Sequence, residues 1–303
     1  MARKRKSVTV YLFGGLGNQL FQYFAGLAIA ESVGAKLYLK PFGQTSAKGQ
    51  EGEVGLDAFE VEGTRITSRI PAQLQEKVLR RFVNSLRHVG LRRLAENRGV
   101  FLSDQINLES LSRYRHIRLI GYFQDSKYLE LLVAQGRDTQ LPLKNPSPWF
   151  RELESLARTK NPIALHIRRG DYLSHADSIG VLDYEYFLNA LKKIPTFSEG
   201  KLEVWIFSDS LSVASDFANY ARLPEARTRI IRPPGDSPAA ESMLLMAMGS
   251  AIVISNSTFS WWGAYLAGDA SKVIVPQKWF KGLDDPVSMN PDAWTSSESI
   301  WTQ

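Results

Sequence analysis

Short apolar runs alternate with longer amphipathic stretches along most of the chain. Runs of five or six residues rich in Val, Ile and Leu are typical of strands buried on both faces of a parallel sheet. Apolar residues at three- and four-residue spacing, which follow most of these runs, are typical of helices with one buried face. The predicted strands are 8–13, 35–40, 100–104, 117–123, 161–168, 204–209, 228–233, 251–255 and 272–276.

The stretches between these strands predict helices, and the alternation indicates α/β topology. The first helix begins after a glycine-rich turn and should end at Gly34, a residue suited to a left-handed C-cap. The predicted helices are 18–32, 69–98, 184–193, 211–221, 237–249 and 261–267.

The chain of 303 residues is long enough for two medium-sized domains. A Pro-rich break at 144–149 separates two halves with the same strand–helix rhythm. We therefore predict an α/β protein of two Rossmann-like domains that face a cleft, formed by residues 1–148 and 149–303.

Composition restricts the class of protein. Apolar residues make up 44% of the chain and charged residues 22%, as in ordinary globular enzymes. No apolar run approaches the roughly 20 residues of a membrane span, and the basic N-terminus lacks a signal-peptide core, so we expect a cytoplasmic protein. The absence of cysteine excludes disulfides and thiolate metal sites, and a net charge of +6 favours an anionic partner.

The stretch GGLGNQ, residues 14–19, follows the first predicted strand. It lacks the third glycine of a dinucleotide fingerprint, and Lys40 stands where the ribose-binding acid would be. It also lacks the Lys-Ser/Thr of a phosphate loop. Two interpretations are left: a bare turn that lets a ligand approach, or simple strand–helix packing with Asn18 as the helix N-cap.

The run His166-Ile167-Arg168-Arg169-Gly170-Asp171 lies where a central strand ends, which is where open α/β sheets bind ligands. Strand alternation directs His166 and Arg168 to the same side. Two adjacent guanidinium groups are tolerated when anions lie between them, so Asp171 can orient one arginine while the other binds a diphosphate. The alternative is a solvated Arg-Asp turn, which the preceding apolar run disfavours.

A second polar run, residues 255–260, follows the apolar run AIVIS and precedes a Trp-rich helix. Hydroxyl groups and backbone N–H groups at a helix N-terminus form an anion site. The alternative is an N-cap at Ser257 or Thr258 with a tryptophan pair in the core, and both can hold together.

We expect neither a metal nor a cofactor. Asp-x-Asp, a spacing that holds metal on a sugar-nucleotide diphosphate, is absent from the chain, and His166 lacks partners at ligand spacing. Positive side chains and helix ends would then stabilise the leaving diphosphate.

Three motifs together resemble one known family. GGLGNQLFQY, HIRRGDY and SNSTFSWWGAYL followed by VIVP occur in this order and span residues 8–280. They are similar to the motifs of the galactoside α-1,2-fucosyltransferases, glycosyltransferase family 11, and the missing anchor resembles the bacterial members. H-x-R-R-x-D by itself is shared with α-1,6- and protein O-fucosyltransferases.

The resemblance implies a GT-B-like fold, with residues 1–148 as the acceptor-side domain and residues 149–303 as the GDP-fucose-binding domain. It also implies metal-independent, inverting transfer of fucose from GDP-β-L-fucose to O2 of a terminal β-galactoside. The acceptor would be lactose or a lipid-linked glycan, and residues 41–64 and 121–135 are expected to shape its choice. The implied catalytic residues are Arg168, His166, Asp171 and Asn18. The implied donor-binding residues are His166, Arg168, Arg169, Asp209 (loosely matched to a guanine-reading aspartate), Asn256, Ser257, Thr258, Phe259, Gly17 and Gln19. The candidates for the general base are His166, Asp171, Asp125 and Glu241. The alternative is a mechanism without a dedicated base.

Other functions stay open on the sequence. These are a fucosyltransferase of another linkage, a non-catalytic sugar-nucleotide- or glycan-binding protein, and a nucleic-acid-binding module. The nucleic-acid hypothesis is weak because the basic stretch 69–98 contains Phe82 as its one Phe, Tyr or Trp residue. That stretch is either a solvated helix face or a peripheral contact with an anionic membrane.

Overall fold

The computed structural model describes residues 6–42, 55–66, 89–102, 106–170, 172, 176–198, 203–235, 237–285 and 289–302. The chain forms two compact units, residues 1–142 and 143–303. The domain boundary predicted between 148 and 149 falls in the first turn of a helix that begins at Pro148.

The first unit is a parallel α/β layer structure. Its strands are β1 Ser7–Leu12, β2 Lys36–Pro41, β3 Thr64–Arg65, β4 Val100–Phe101 and β5 His116–Leu119. Its α-helices are α1 Leu16–Val33, α2 Val89–Asn97 and α3 Lys127–Ala134, with 3₁₀ turns at Gly55–Ala58 and Leu108–Arg113. The five strands are ordered β3-β2-β1-β5-β4 and all pairs are parallel.

Helix α1 packs closely against β1. A Cβ added at Gly26 would lie 2.1 Å from Val10 Cγ2, so glycine at this position permits the close approach. Gly34 ends the helix with φ 62°, which confirms the predicted left-handed C-cap. The N-cap is Gly15 and Asn18 lies within the first turn, so the alternative of Asn18 as N-cap is wrong.

The second unit has a larger parallel sheet. Its strands are β6 Ile163–Ile167, β7 Val204–Ser208, β8 Thr228–Ile230, β9 Ala251–Val253, β10 Lys272–Pro276 and β11 Thr295–Ser297. Its α-helices are α4 Pro148–Lys160, α5 Tyr184–Lys192, α6 Pro195–Ser198, α7 Leu211–Tyr220, α8 Ala239–Ala247 and α9 Thr258–Leu266, with 3₁₀ turns at Glu225–Arg227 and Gly268–Ala270. The order is β11-β10-β9-β6-β7-β8, again with parallel pairs.

Helix α4 is one element that the sequence interpretation missed, because the prolines around it were taken as a break. Proline is compatible with the first turn of a helix, where its missing N–H has no intrahelical partner. Ser147 caps the helix by accepting a hydrogen bond from the Phe150 N–H at 3.1 Å. Glu241 of α8 holds this cap in turn, since its carboxylate accepts both the Ser147 N–H at 2.7 Å and the Ser147 hydroxyl at 2.8 Å.

Other differences concern element length. The strands predicted at 100–104 and 117–123 are shorter, and α3 and β11 were not predicted. The helix predicted at 261–267 begins three residues earlier, at Thr258. The predicted α/β class with two parallel sheets is confirmed.

Candidate functional site

The candidate site lies at the carboxyl edge of the second unit's sheet. From β6 the chain proceeds outward to β7 and β8, and then returns to place β9 on the other side of β6. The strand succession therefore reverses between β6 and β9. In open α/β sheets such a switch point leaves a crevice at the carboxyl ends of the strands, where ligands bind.

His166, the fourth residue of β6, is buried at this edge with 3% of its surface exposed. Its Nδ1 lies 2.9 Å from Ser255 Oγ, beyond the end of β9, and its ring centroid lies 5.4 Å from that of Phe259. Burial, with a smaller contribution from the positive charge of Arg168, lowers the pKa of His166 from its ordinary 6.5 to about 3. His166 is therefore neutral near pH 7 and contributes hydrogen bonding rather than charge.

The pKa of His166 predicts acid sensitivity of the fold. Between about pH 6.5 and pH 3 the unfolded chain carries a proton on this side chain that the folded chain excludes. The free energy of unfolding therefore falls as the pH is lowered through this window. We expect the melting temperature of His166→Gln to fall less than that of the wild type between pH 7 and pH 4. Parallel melting curves over that range would contradict the buried neutral state.

Arg168 and Arg169 follow β6, and Asp209 follows the adjacent strand β7. Arg168 Nε lies 3.3 Å from Asp209 Oδ2, and the Arg169 N–H donates to Asp209 Oδ1 at 3.2 Å. The carboxylate of Asp209 thus fixes both the side chain of one arginine and the backbone of the next. The predicted orienting residue, Asp171, lies outside the described residues.

Gly170 permits this arrangement. A Cβ at Gly170 would lie 2.3 Å from Asp209 Oδ2, so a larger residue would displace the carboxylate from the arginine turn. The glycine of the RRG run therefore has a steric function that spacing alone did not reveal.

The Arg169 guanidinium stacks on an aromatic ring. Its Cζ lies 4.3 Å from the ring centroid of Tyr184, the first residue of α5. Its Nε is buried without a hydrogen-bond partner among the residues the structure describes. Tyr184 was not identified in the sequence, because it lies 15 residues beyond Arg169 in the chain.

The polar run after β9 leads directly into α9. Ser257 is the N-cap residue, which confirms the predicted N-cap position, although its side chain makes no capping hydrogen bond. The Ser260 hydroxyl donates to the Ser257 carbonyl at 3.1 Å and lies 3.4 Å from Ser255 Oγ, which connects the run to His166. Thr258 and Phe259, both half-buried, occupy the first turn, where N–H groups have no intrahelical acceptor. This end of the helix suits an anion.

Asn256 has a structural role in this region. Its buried amide nitrogen is within 3.1–3.3 Å of the carbonyls of Ile179, Gly180 and Trp279, so it connects two loops to the end of β9. Its predicted contact with the donor stays a prediction.

The predicted residues of the first unit lie around the turn after β1. Asn18 Oδ1 accepts a hydrogen bond from Gln124 Nε2 at 3.0 Å. Gln19 is fully buried; its amide donates to the Gly14 carbonyl at 2.9 Å and accepts from the Leu56 N–H at 3.3 Å. Gly17 is also buried, and the contacts of Gly17 and Gln19 with the donor stay predictions.

Two further candidates for the general base are engaged elsewhere. Both oxygens of the buried Glu241 accept hydrogen bonds from Ser147. Asp125 pairs with Lys127 through the ammonium at 2.7 Å and through the backbone N–H at 3.0 Å. Neither carboxylate is positioned as a free proton acceptor.

In the described part of the chain, no group of three or more His, Asp or Glu side chains could hold a metal ion. The helices of this part include none with the length and apolarity needed to cross a membrane.

Comparison with known proteins identifies similar chains. The model of the family described as glycosyl transferase family 11 matches residues 149–293. An α-1,2-colitosyltransferase of Escherichia coli is 26% identical over 96% of this chain and 99% of its own length. The O-antigen biosynthesis glycosyltransferase WbnK of Escherichia coli is 29% identical, over 93% and 98% respectively. A galactoside 2-α-L-fucosyltransferase of Caenorhabditis elegans is 24% identical, over 88% and 70%.

Solved structures show the same fold at low sequence identity. The NodZ α-1,6-fucosyltransferase soaked with GDP-fucose has a TM-score of 0.51 and 14% identity, covering 87% of this chain and 93% of that chain. A mutant of Arabidopsis thaliana FUT1 in complex with GDP has a TM-score of 0.53 and 12% identity, covering 96% and 76%. Together with the two parallel sheets, these matches confirm the GT-B-like fold class. Residues 149–293 thus match glycosyl transferase family 11, and the chain is similar to bacterial glycosyltransferases over nearly its whole length.

Proposed function

We propose that the protein transfers L-fucose from GDP-β-L-fucose to O2 of a terminal β-galactoside, with inversion at the anomeric carbon. One observation carries the proposal: the Arg168–Arg169 turn, held by Asp209, lies at the same switch point as the N-terminus of α9. Cationic side chains and a helix N-terminus together suit a diphosphate. The relatives' α-1,2 linkages and the GDP-fucose in the NodZ structure support the donor and the linkage.

In the proposed reaction, O2 of galactose attacks the anomeric carbon of fucose as the bond to the diphosphate breaks. The transition state is oxocarbenium-like, and negative charge develops on the departing GDP. Arg168 stabilises that charge first, Arg169 second, and the Ser257–Thr258 turn assists. Neutral His166 supports the edge of the site through its hydrogen bond with Ser255. The O2 proton passes to solvent water late in the reaction, without a dedicated base.

No metal or cofactor takes part in the proposed mechanism. The arginines and the helix N-terminus supply positive potential where a divalent cation would otherwise act. Activity that persists in EDTA supports this part of the proposal, and activity that needs an added divalent cation contradicts it.

The similarity to one relative supports a second candidate for the donor sugar. The α-1,2-colitosyltransferase is 26% identical to this chain over 96% of its length, so the colitosyl group is the alternative to fucosyl. Colitose is fucose without its 3-hydroxyl, and both donors would present the same diphosphate to Arg168.

The test is incubation with each GDP-sugar and a panel of β-galactosides in EDTA, followed by NMR determination of the product linkage. Fucose on O2 of galactose supports the proposal. Another linkage contradicts the assigned acceptor position, and binding of GDP-fucose without turnover indicates a binding protein.

We also propose peripheral contact with an anionic membrane. Helix α2 exposes Leu91 and Leu94, at 45% and 55%, beside exposed Arg92 and Arg93. Apolar and basic side chains on one short helix suit an anionic lipid surface. Most of the basic stretch, residues 67–88, lies outside the described residues. Flotation with vesicles rich in phosphatidylglycerol, compared with neutral vesicles, tests the contact.

A further inference from the structure

Two tyrosines flank the arginine turn of the candidate site. The guanidinium carbon of Arg168, Cζ, lies 5.6 Å from the ring centroid of Tyr172. The Arg169 Cζ lies 4.3 Å from the ring centroid of Tyr184. Both distances are within the roughly 6 Å over which the face of an aromatic ring attracts a cation. Each guanidinium group of the turn therefore stacks on a different tyrosine ring.

The two rings supply contacts that the carboxylate of Asp209 does not. Consecutive guanidinium groups repel each other, so their orientations need support. Asp209 contacts the side chain of Arg168 and the backbone N–H of Arg169. The Arg169 Nε is buried and has no hydrogen-bond partner among the described residues. The ring of Tyr184 thus gives this guanidinium group an orienting contact.

Both tyrosine rings are anchored through their hydroxyl groups. The Tyr172 hydroxyl donates to the carbonyl of Asn256, in the turn that leads into α9, at 3.2 Å. The Tyr184 hydroxyl donates to the carbonyl of Val213, in the first turn of α7, at 3.2 Å. These anchors follow β9 and β7, which are the two neighbours of β6 in the sheet. The rings are therefore attached on opposite sides of the strand that leads into the arginines.

Further contacts hold Tyr184 at the start of α5. Its half-buried ring lies 5.7 Å, between centroids, from that of Phe217, which is fully buried. The preceding residue, Asp183, is the N-cap of the helix, and its N–H donates to the carbonyl of Ile300 at 2.8 Å. A ring held by α7 and by the segment at Ile300 can fix the guanidinium group that stacks on it.

We propose that Tyr172 and Tyr184 are positioning residues for the diphosphate, each holding one guanidinium group in a fixed orientation before the ligand binds. In this role they act through Arg168 and Arg169 rather than by contact with the ligand. An arginine side chain that is already oriented loses less conformational freedom on binding, so its affinity for an anion is higher. The inference rests on the proposed function, because it takes the diphosphate to be that of GDP-fucose.

The test measures binding of GDP to the full chain and its variants by calorimetry. We expect Tyr184→Leu to weaken binding roughly tenfold, and Tyr172→Leu, at the longer distance, roughly fivefold. The corresponding Phe variants keep the rings and should stay within about threefold of wild type. Tyr220→Leu is the matched control, because the exposed ring of Tyr220 lies 5.6 Å from that of Tyr184, and it should bind GDP as the wild type does.

A double-mutant cycle separates positioning from a general structural role. If Tyr184 acts through Arg169, Tyr184→Leu should change GDP affinity by less than about twofold in the Arg169→Ala background. An equal loss in both backgrounds overturns the inference. The cycle of Tyr172 with Arg168→Ala is judged in the same way.

Fluorinated phenylalanines at position 184 test the ring without a change of shape. Each added fluorine makes the ring face less negative, so GDP affinity should fall stepwise along the series. An affinity that does not change along the series overturns the inference, even if Tyr184→Leu fails to fold.

Transfer of fucose to lactose, and binding of inorganic pyrophosphate followed by phosphorus NMR, separate this inference from the proposed function. If the wild type transfers fucose and Tyr184→Leu keeps its affinity for GDP, the positioning role is refuted and the function stands. If the wild type transfers no fucose but binds pyrophosphate, and Tyr184→Leu weakens that binding while Tyr184→Phe retains it, the positioning role stands and the function fails. A wild type that binds neither GDP nor pyrophosphate refutes both.

Discussion

Arg168→Ala should lower the rate of transfer at saturating GDP-fucose by about 10²–10³-fold. The side chain lies at the switch point of the second unit, where Asp209 holds its Nε at 3.3 Å, so its orientation is set before the donor binds. Removal of a preorganised cationic donor costs this much when charge develops on the leaving group. Arg168→Lys should recover part of the rate, since it keeps the charge and loses the planar fork.

Single-turnover kinetics with lactose measure the effect on the chemical step. Arg158→Ala is the matched control, because Arg158 lies in the same unit on α4, with 70% of its side chain exposed and an i,i+4 pair with Glu154. Its rate should stay within about twofold of wild type. Near-wild-type turnover of Arg168→Ala would remove Arg168 from the catalytic assignment.

Asp209→Ala should lower kcat/KM for GDP-fucose by roughly 10–100-fold. The substitution removes the acceptor of the Arg169 N–H and the anionic partner of Arg168 together, so both arginines lose their fixed positions. Loss of a charge-assisted hydrogen-bond partner costs about 1.5–3 kcal/mol, which corresponds to this range. Asp209→Asn keeps the acceptor for the backbone N–H and should be less impaired.

The same variant distinguishes two roles for Asp209. The sequence resemblance implies that it reads guanine, whereas its observed contacts orient the arginine turn. Inosine diphosphate lacks the 2-amino group of GDP, so the ratio of the two affinities reports base reading. If Asp209 orients the arginines, Asp209→Ala weakens both nucleotides equally. If the affinities of Asp209→Ala for GDP and inosine diphosphate instead become nearly equal, Asp209 recognises the guanine base.

The candidate site could be located from sequence to a useful extent. Two strongly apolar runs are followed closely by polar residues: His166 and Arg168 lie near the end of one, and Ser257 lies just beyond the other. Polar residues in such positions are expected at strand ends in a parallel sheet, where ligands bind. The role of Asp209 was not predictable in this way, because the sequence offered Asp171 as a nearer carboxylate. Proximity in the chain favoured Asp171, while the pairing of β6 with β7 brings Asp209 to Arg168.

The structure changed the interpretation of the first unit more than that of the candidate site in the second unit. The bare turn at Gly14–Gly15 was identified from the sequence, and Asn18 was expected near a ligand. Gln19 was expected there too, yet its side chain is buried against Gly14 and Leu56. A helical position only one residue away from Asn18 faces about 100° around the axis, so adjacent polar residues have different environments.

The α/β class, most of the strands and the three motifs that carry the family resemblance were predictable from the sequence, because hydrophobic period and motif spacing are local properties of the chain. Tertiary structure decided which of those motifs meet. The return of β9 to the side of β6 brings Ser255 to within 2.9 Å of His166 across 89 residues, and the return of β5 to β1 brings Gln124 to Asn18. Strand order depends on packing between distant segments, which a local pattern of apolar residues does not encode.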